Sequence, residues 1–115
     1  MLSHQQKKLT IQTGNNFVFI NPQDIIFLTR KNRKTVISTL QGSTYALNEP
    51  LVKLEQHLNS ETFFRCHKGY IVNVDMVTEF SPWGNKTYLV KLLHTEETAL
   101  ATLEKAKEFR NKYCF

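Results

Sequence analysis

Short apolar runs that end at turn dipeptides recur along this chain, and that recurrence restricts its fold more than any other feature. Runs of about four to eight residues rich in β-branched and aromatic side chains suit half-buried strands, because such side chains pack well on a pleated surface. Leu9 to Thr13 and Asn16 to Ile20 flank Gly14-Asn15, a pair that readily takes the positive φ of a two-residue hairpin turn. Asn21-Pro22-Gln23-Asp24 breaks the next ladder, since proline has no N–H to donate, and Ile25 to Thr29 begins another strand. Gln41-Gly42 parts Thr35 to Leu40 from Ser43 to Leu47, and Lys68-Gly69 parts Phe63 to His67 from Tyr70 to Val74. Val77 to Phe80 runs into the Ser81 to Asn85 turn, after which Thr87 to Leu93 reads as a strand. The pattern predicts a mainly β chain.

Two segments depart from that period. Leu51, Leu54 and Leu58 fall on one face of a short helix, read as Glu49 to Leu58, with Asn48 as its cap and Pro50 near its first turn. From Thr95 onward Leu100, Leu103 and Ala106 or Lys107 suit a helix. With 115 residues, no repeat, no linker and no low-complexity stretch, residues 1–115 read as one domain, with 1–7 expected to be poorly ordered. No apolar run has the length of a membrane span, and the first ten residues hold no signal-peptide stretch, so a cytoplasmic protein without a membrane partner is expected.

Catalytic and metal chemistry find no constellation. The histidines at 4, 57, 67 and 94 give no ligand spacing with Cys66 or Cys114. Cys66 and His67 are strand neighbours and point to opposite faces, so they make no dyad, and Cys66 is read as a packed residue sharing a face with Phe64. Phosphate loops, nucleophile elbows and paired carboxylates are absent from the sequence, with only Asp24 and Asp75 as aspartates. No enzymatic function, metal or cofactor is expected.

Charge is more informative. The formal net charge is +5, and of the seven basic residues up to Ser60 four lie in Arg30-Lys31-Asn32-Arg33-Lys34, a stretch with no apolar residue between two expected strands. Cations held at the end of a hairpin can enter a nucleic-acid groove, arginine forking to guanine or phosphate and lysine acting as a phosphate-directed charge. Trp83 and Lys86 are weaker candidates, Trp83 being expected to pack over the sheet.

The segment Phe63-Phe64-Arg65-Cys66-His67-Lys68-Gly69-Tyr70-Ile71-Val72-Asn73 resembles the most distinctive stretch of the LytTR family, F-x-R-x-H followed by a polar or basic residue, a small residue, an aromatic, aliphatics and Asn. Asp24-Ile25-Ile26-Phe27-Leu28 is similar to the family's D-I-x-Y-hydrophobic strand, and Leu51 to Leu58 to its S-L-x-x-L-E-x-x-L helix. The resemblance covers Leu9 to Phe109. It implies an elongated antiparallel β-sheet domain with one short central helix and a short C-terminal helix, the tail forming a strand near Thr98 to Ala101 and a helix from about Leu103.

It further implies sequence-specific binding of double-stranded DNA by loops of the sheet, as the effector part of a two-component response regulator. A receiver domain in a longer chain and a homodimer on DNA are its possible companions. The contacts so implied are Arg30, Lys31, Arg33 and Lys34 in one loop, Lys68 with His67 beside it, and Lys105 in the Thr102 to Lys105 turn. His67 is read either as a contact or as a hydrogen-bonded anchor of its loop. Gly69 stands where serine is usual and is expected to take a positive φ. Glu104 falls where the family tends to place a basic residue; it would repel phosphate but can accept from cytosine N4. The alternative reading is a protein-interaction or single-stranded RNA module built on a β barrel, with Tyr45, Tyr70, Trp83 and Tyr88 to stack bases.

Overall fold

In the computed structural model, which describes residues 7–115, ten strands and two α-helices follow the expected order, with single 3-10 turns at Pro22–Asp24 and Val74–Met76. The strands are β1 (Leu9–Thr13), β2 (Asn16–Ile20), β3 (Ile25–Lys31), β4 (Lys34–Thr39), β5 (Thr44–Leu47), β6 (Phe63–His67), β7 (Tyr70–Asn73), β8 (Val77–Pro82), β9 (Thr87–Leu92) and β10 (Thr98–Thr102). The helices are α1 (Leu51–His57), between β5 and β6, and α2 (Leu103–Tyr113), after β10. The expected disorder of Met1 to Lys7 lies, for residues 1–6, outside the described residues.

Among the described residues all pairings are antiparallel, in three sheets: β1-β2, β5-β4-β3-β7-β6 and β10-β9-β8. The five-stranded sheet forms the middle layer and separates two cores. One face carries Ile25, Leu28, Ile37, Leu47, Phe63 and Ile71 under α1 and the β1-β2 hairpin. The other carries Ile26, Phe27, Phe64, Cys66 and Val72 against β9, β10 and Phe109 of α2. A one-residue irregularity between Ile25 and Phe27 explains why four consecutive residues of β3 are buried. It turns Ile26 and Phe27 to the same face and leaves Ile25 and Leu28 on the other. Burying a side chain of this size stabilises by about 1.5 to 3 kcal/mol, so a central strand filled on both faces anchors the whole. The molecule measures 43 × 40 × 24 Å, extended in two directions and thin in the third.

Asn73 ties β3 to the turn that follows β7. It is 1% exposed, its Nδ2 donates to the Ile25 carbonyl at 2.8 Å, and its Oδ1 accepts from the Asp75 N–H at 3.0 Å. A buried carboxamide with both ends satisfied fixes a single register.

Two local readings need correction. The central helix starts at Leu51 and not at Glu49, with Pro50 in the capping position and no side-chain cap. Asn48 does not cap it, because its Oδ1 accepts instead from Lys34 Nζ at 2.9 Å. Trp83 does not pack over the sheet; it is 58% exposed at the β8-β9 turn.

Candidate nucleic-acid interface

β3 and β6 run in one direction and β4 and β7 in the other, so the β3-β4 and β6-β7 turns emerge side by side at one end of the middle sheet. The Arg30 N–H donates to the Gly69 carbonyl at 3.0 Å and ties the two tips together. The fold thereby brings the Arg30 to Lys34 cluster beside His67 and Lys68, which are far away in sequence.

The β3-β4 connection is tighter than the sequence reading had it. Lys31 pairs with Lys34, leaving only Asn32 and Arg33 in the turn, at φ 52° and 66°. Two successive left-handed residues make the hairpin turn whose twist matches the flanking strands. Arginine is unusual there, since a Cβ in that region costs roughly 1 kcal/mol or more. The turn therefore holds the Arg33 side chain at the tip against a local preference.

The four cations of this cluster divide into two kinds. Arg30 Nη1 donates to Thr35 Oγ1 at 3.0 Å and to the Glu49 carbonyl at 3.3 Å, and Thr35 Oγ1 also donates to that carbonyl. Lys34 is bonded to Asn48. These two brace the hairpin against the β5-α1 connection. Lys31 and Arg33 are exposed and make no side-chain hydrogen bond or ion pair among the described residues.

The β6-β7 turn is shaped by side chains. A bulge places Cys66 between the Arg65–Ile71 and His67–Tyr70 pairs. Arg65 then straps the turn: its Nε donates to the His67 carbonyl at 3.1 Å, its Nη2 to the Lys68 carbonyl, and its Nη1 pairs with Glu55 Oε1 of α1 at 2.8 Å. His67 Nδ1 accepts from the Gly69 N–H at 3.0 Å, which requires a neutral ring with its proton on Nε2. Burial first, then the charges of Lys68 and Arg65, push the His67 pKa below its ordinary value and favour that neutral ring.

Gly69 does not take the positive φ expected of it. The two-residue turn between the paired His67 and Tyr70 closes without it, and a Cβ at Gly69 would meet His67 Nδ1 at 3.6 Å, an ordinary contact. Lys68 is exposed and unpaired among the described residues. Cys66 is wholly buried, and burial pushes its thiol up to about 12, so no thiolate forms near neutrality.

The third expected place is the β10-α2 corner. Thr102 Oγ1 accepts from the Lys105 N–H at 3.1 Å and caps α2. Lys105 Nζ pairs with Glu108 at 3.3 Å and lies 5.7 Å from the centre of the Phe64 ring. At the other end of α2, Lys112 Nζ and Tyr113 Oη both donate to the Ser60 carbonyl, just before β6 begins. Since α2 descends along β6, its first turn faces the end where Lys68 stands. Arg65 is the residue that the sequence reading placed in a motif without giving it a task; its spacing to His67 was the available signal.

The sequence profile of the LytTr DNA-binding domain matches residues 15–113. The chain is 32% identical to the sensory transduction protein LytT of Bacillus cereus over 84 residues, 73% of this chain and 34% of that protein. It is 26% identical to the transcriptional regulatory protein YpdB of Escherichia coli strain K12 over 93 residues, 81% of this chain and 38% of that one. It thus spans little more than a third of the length of these relatives. A solved LytTr DNA-binding domain from Bacillus cereus superposes with a TM-score of 0.78, over 96% of this chain and 100% of that one, at 23% identity, a likeness of fold.

Proposed function

Because this chain belongs to the LytTr DNA-binding domain family, we propose that it binds double-stranded DNA sequence-specifically and regulates transcription. It does so as the effector part of a two-component response regulator in the bacterial cytoplasm. A receiver domain on the same polypeptide and pairing of two copies on one DNA site belong to the same proposal. The observation that carries it is the meeting of Lys31, Arg33 and Lys68, all exposed and unpaired among the described residues, on two hairpin turns held rigid at one end of the sheet.

In this reading Arg33 forks to a base edge while Lys31 and Lys68 meet phosphates. Arg30, Lys34 and His67 position the tips and touch DNA secondarily, and Lys105 reaches the duplex only by leaving Glu108. A single-strand stacking platform finds less support. Tyr45, Tyr70 and Tyr88 are half-buried on different strands, and Trp83 stands apart from them in a turn. The test is selection of bound duplexes from a random pool, followed by titration at several salt concentrations. Enrichment of one motif, rejection of single strands and a log–log salt slope of about 0.9 for each phosphate contact are expected. Failure to enrich any motif, or preference for single strands, removes the reading.

A further inference from the structure

The β8-β9 turn, Trp83-Gly84-Asn85-Lys86, is exposed at all four positions and lies outside the three places described above. It is not a loose loop. Gly84 and Lys86 sit at φ 65° and 58°, the Trp83 N–H donates to the Thr87 carbonyl at 2.8 Å, and Thr87 Oγ1 donates to the Asn85 carbonyl at 3.1 Å. A lysine at positive φ is uncommon, and the turn sets the direction in which its Cα–Cβ bond leaves the backbone. The Lys86 carbonyl in turn accepts from the N–H of Leu103, the first residue of α2, at 3.0 Å. The turn is therefore bolted to the β10-α2 corner and extends it.

Trp83 stands alone there. The other large apolar residues exposed among the described residues are Phe17, Phe19, Val52, Leu93 and Phe115. Phe17 and Phe19 belong to the β1-β2 hairpin, which packs on the opposite face of the middle sheet. A protein partner is usually met by a contiguous apolar centre. One indole in a polar turn with an exposed lysine beside it fits a different surface: alternating apolar deoxyribose and anionic phosphate, for which the ring offers a flat apolar body and an N–H donor.

Resting on the duplex-binding reading above, we propose that the Trp83-Lys86 turn is a further DNA contact, Trp83 lying against the sugar wall of a groove and Lys86 pairing with a phosphate. It lengthens the footprint beyond the two hairpin tips and adds affinity that is only partly electrostatic.

Trp83 is the only tryptophan in the chain, so its emission reports on this turn alone. The probe is a fluorescein-labelled duplex of about 30 base pairs, roughly three helical turns, recovered by selection from a random pool. Binding is followed by the label's anisotropy and, with an unlabelled duplex of the same sequence, by Trp83 emission. Emission is expected to change in step with the anisotropy. Trp83→Ala is expected to weaken binding roughly tenfold at fixed salt with the salt slope unchanged, as for a stacked or packed aromatic. Lys86→Ala is expected to shallow the slope by about 0.9, and Trp83→Phe to retain most of the affinity. Thermal unfolding of each variant checks that it folds, and if Trp83→Ala does not, the emission titration of the parent decides.

Rising anisotropy with unchanged emission, or variants that bind like the parent, overturns the proposal and leaves the DNA reading standing. Emission that responds to protein concentration and not to duplex assigns the turn to a protein surface and overturns it also. No rise in anisotropy with any selected duplex sinks the DNA reading and this proposal with it.

Discussion

The β3-β4 tip and the β6-β7 turn stand side by side at the same end of the same sheet, yet they are stiffened by different means. The first is fixed by backbone dihedrals, with two left-handed residues closing the shortest hairpin, and by Arg30 and Lys34 bracing its base. The second has no left-handed residue; Arg65 and His67 hold its carbonyls and amide from the side. A dihedral device leaves the side chains at the tip free for other partners. A side-chain device commits a cation and an imidazole to the fold, and its rigidity then depends on their charge states.

Arg65→Ala should have the largest effect. It removes two carbonyl contacts and the Glu55 pair, so the unfolding free energy should fall by about 3 kcal/mol in urea titration. Duplex affinity should fall at least as far as in Lys68→Ala, which should leave unfolding unchanged. An Arg65→Ala protein with parental stability would show that the turn is not strapped, and the contrast between the two tips would vanish.

Arg33→Gly should act in opposite directions on two readouts. Glycine relieves the left-handed strain, so stability should hold or rise by up to about 1 kcal/mol, while affinity for the selected duplex should drop by roughly 1.5 kcal/mol with specificity relaxed at one base. Loss of stability in Arg33→Gly would mean that the arginine is bound to the fold after all.

Cys66 is the extra residue of the β6 bulge and packs against Phe64 and its neighbours. Cys66→Ala should cost about 1 kcal/mol and leave the affinity of the folded protein intact. A thiol reagent at neutral pH should modify one thiol per native chain, the exposed Cys114, with Cys66 reacting only on unfolding. Rapid double labelling would contradict this.

The smallest effect sharpens the contrast most. Because the His67 pKa is lowered from 6.5 in the folded state, the unfolded chain takes up the proton first as pH falls. The stability His67 contributes is thus complete above pH 6.5 and is lost as pH falls through the lowered folded value. A urea midpoint measured from pH 8 to 5 should fall more steeply in the parent than in His67→Gln. Identical profiles would separate the turn from the titration of this ring.

Much of this architecture was legible. The β1-β2 hairpin and β6 were read to the residue because the period of two and the turn pairs are local signals. The start of α2 at Leu103 followed from the family resemblance. The sequence points to a helix start at Glu49, two residues early, because Asn48 looks like a cap, and the lysine that occupies its oxygen comes from another strand. Arg30 looked like the other cations of its cluster for the same reason: its partners, Thr35 and the Glu49 carbonyl, meet it only in three dimensions. Gly69 invites a dihedral explanation where the turn closes beside a bulge with no left-handed residue, and Trp83 invites packing over the sheet because large aromatics are usually covered.

The two-residue turn at Asn32 and Arg33 also bears on how such a domain can change its target over generations. An inserted residue there would give a longer loop, no longer closed by two successive left-handed residues, and would re-aim whatever the tip carries. A change of length at this tip therefore alters its aim as well as its chemistry. Exchange of one side chain for another at position 33 is open, limited by the few residues that tolerate a left-handed backbone. Lineages carrying this hairpin should diverge in what they read by substitution at a fixed length, and the short list of residues that the turn accepts sets the alphabet available to them.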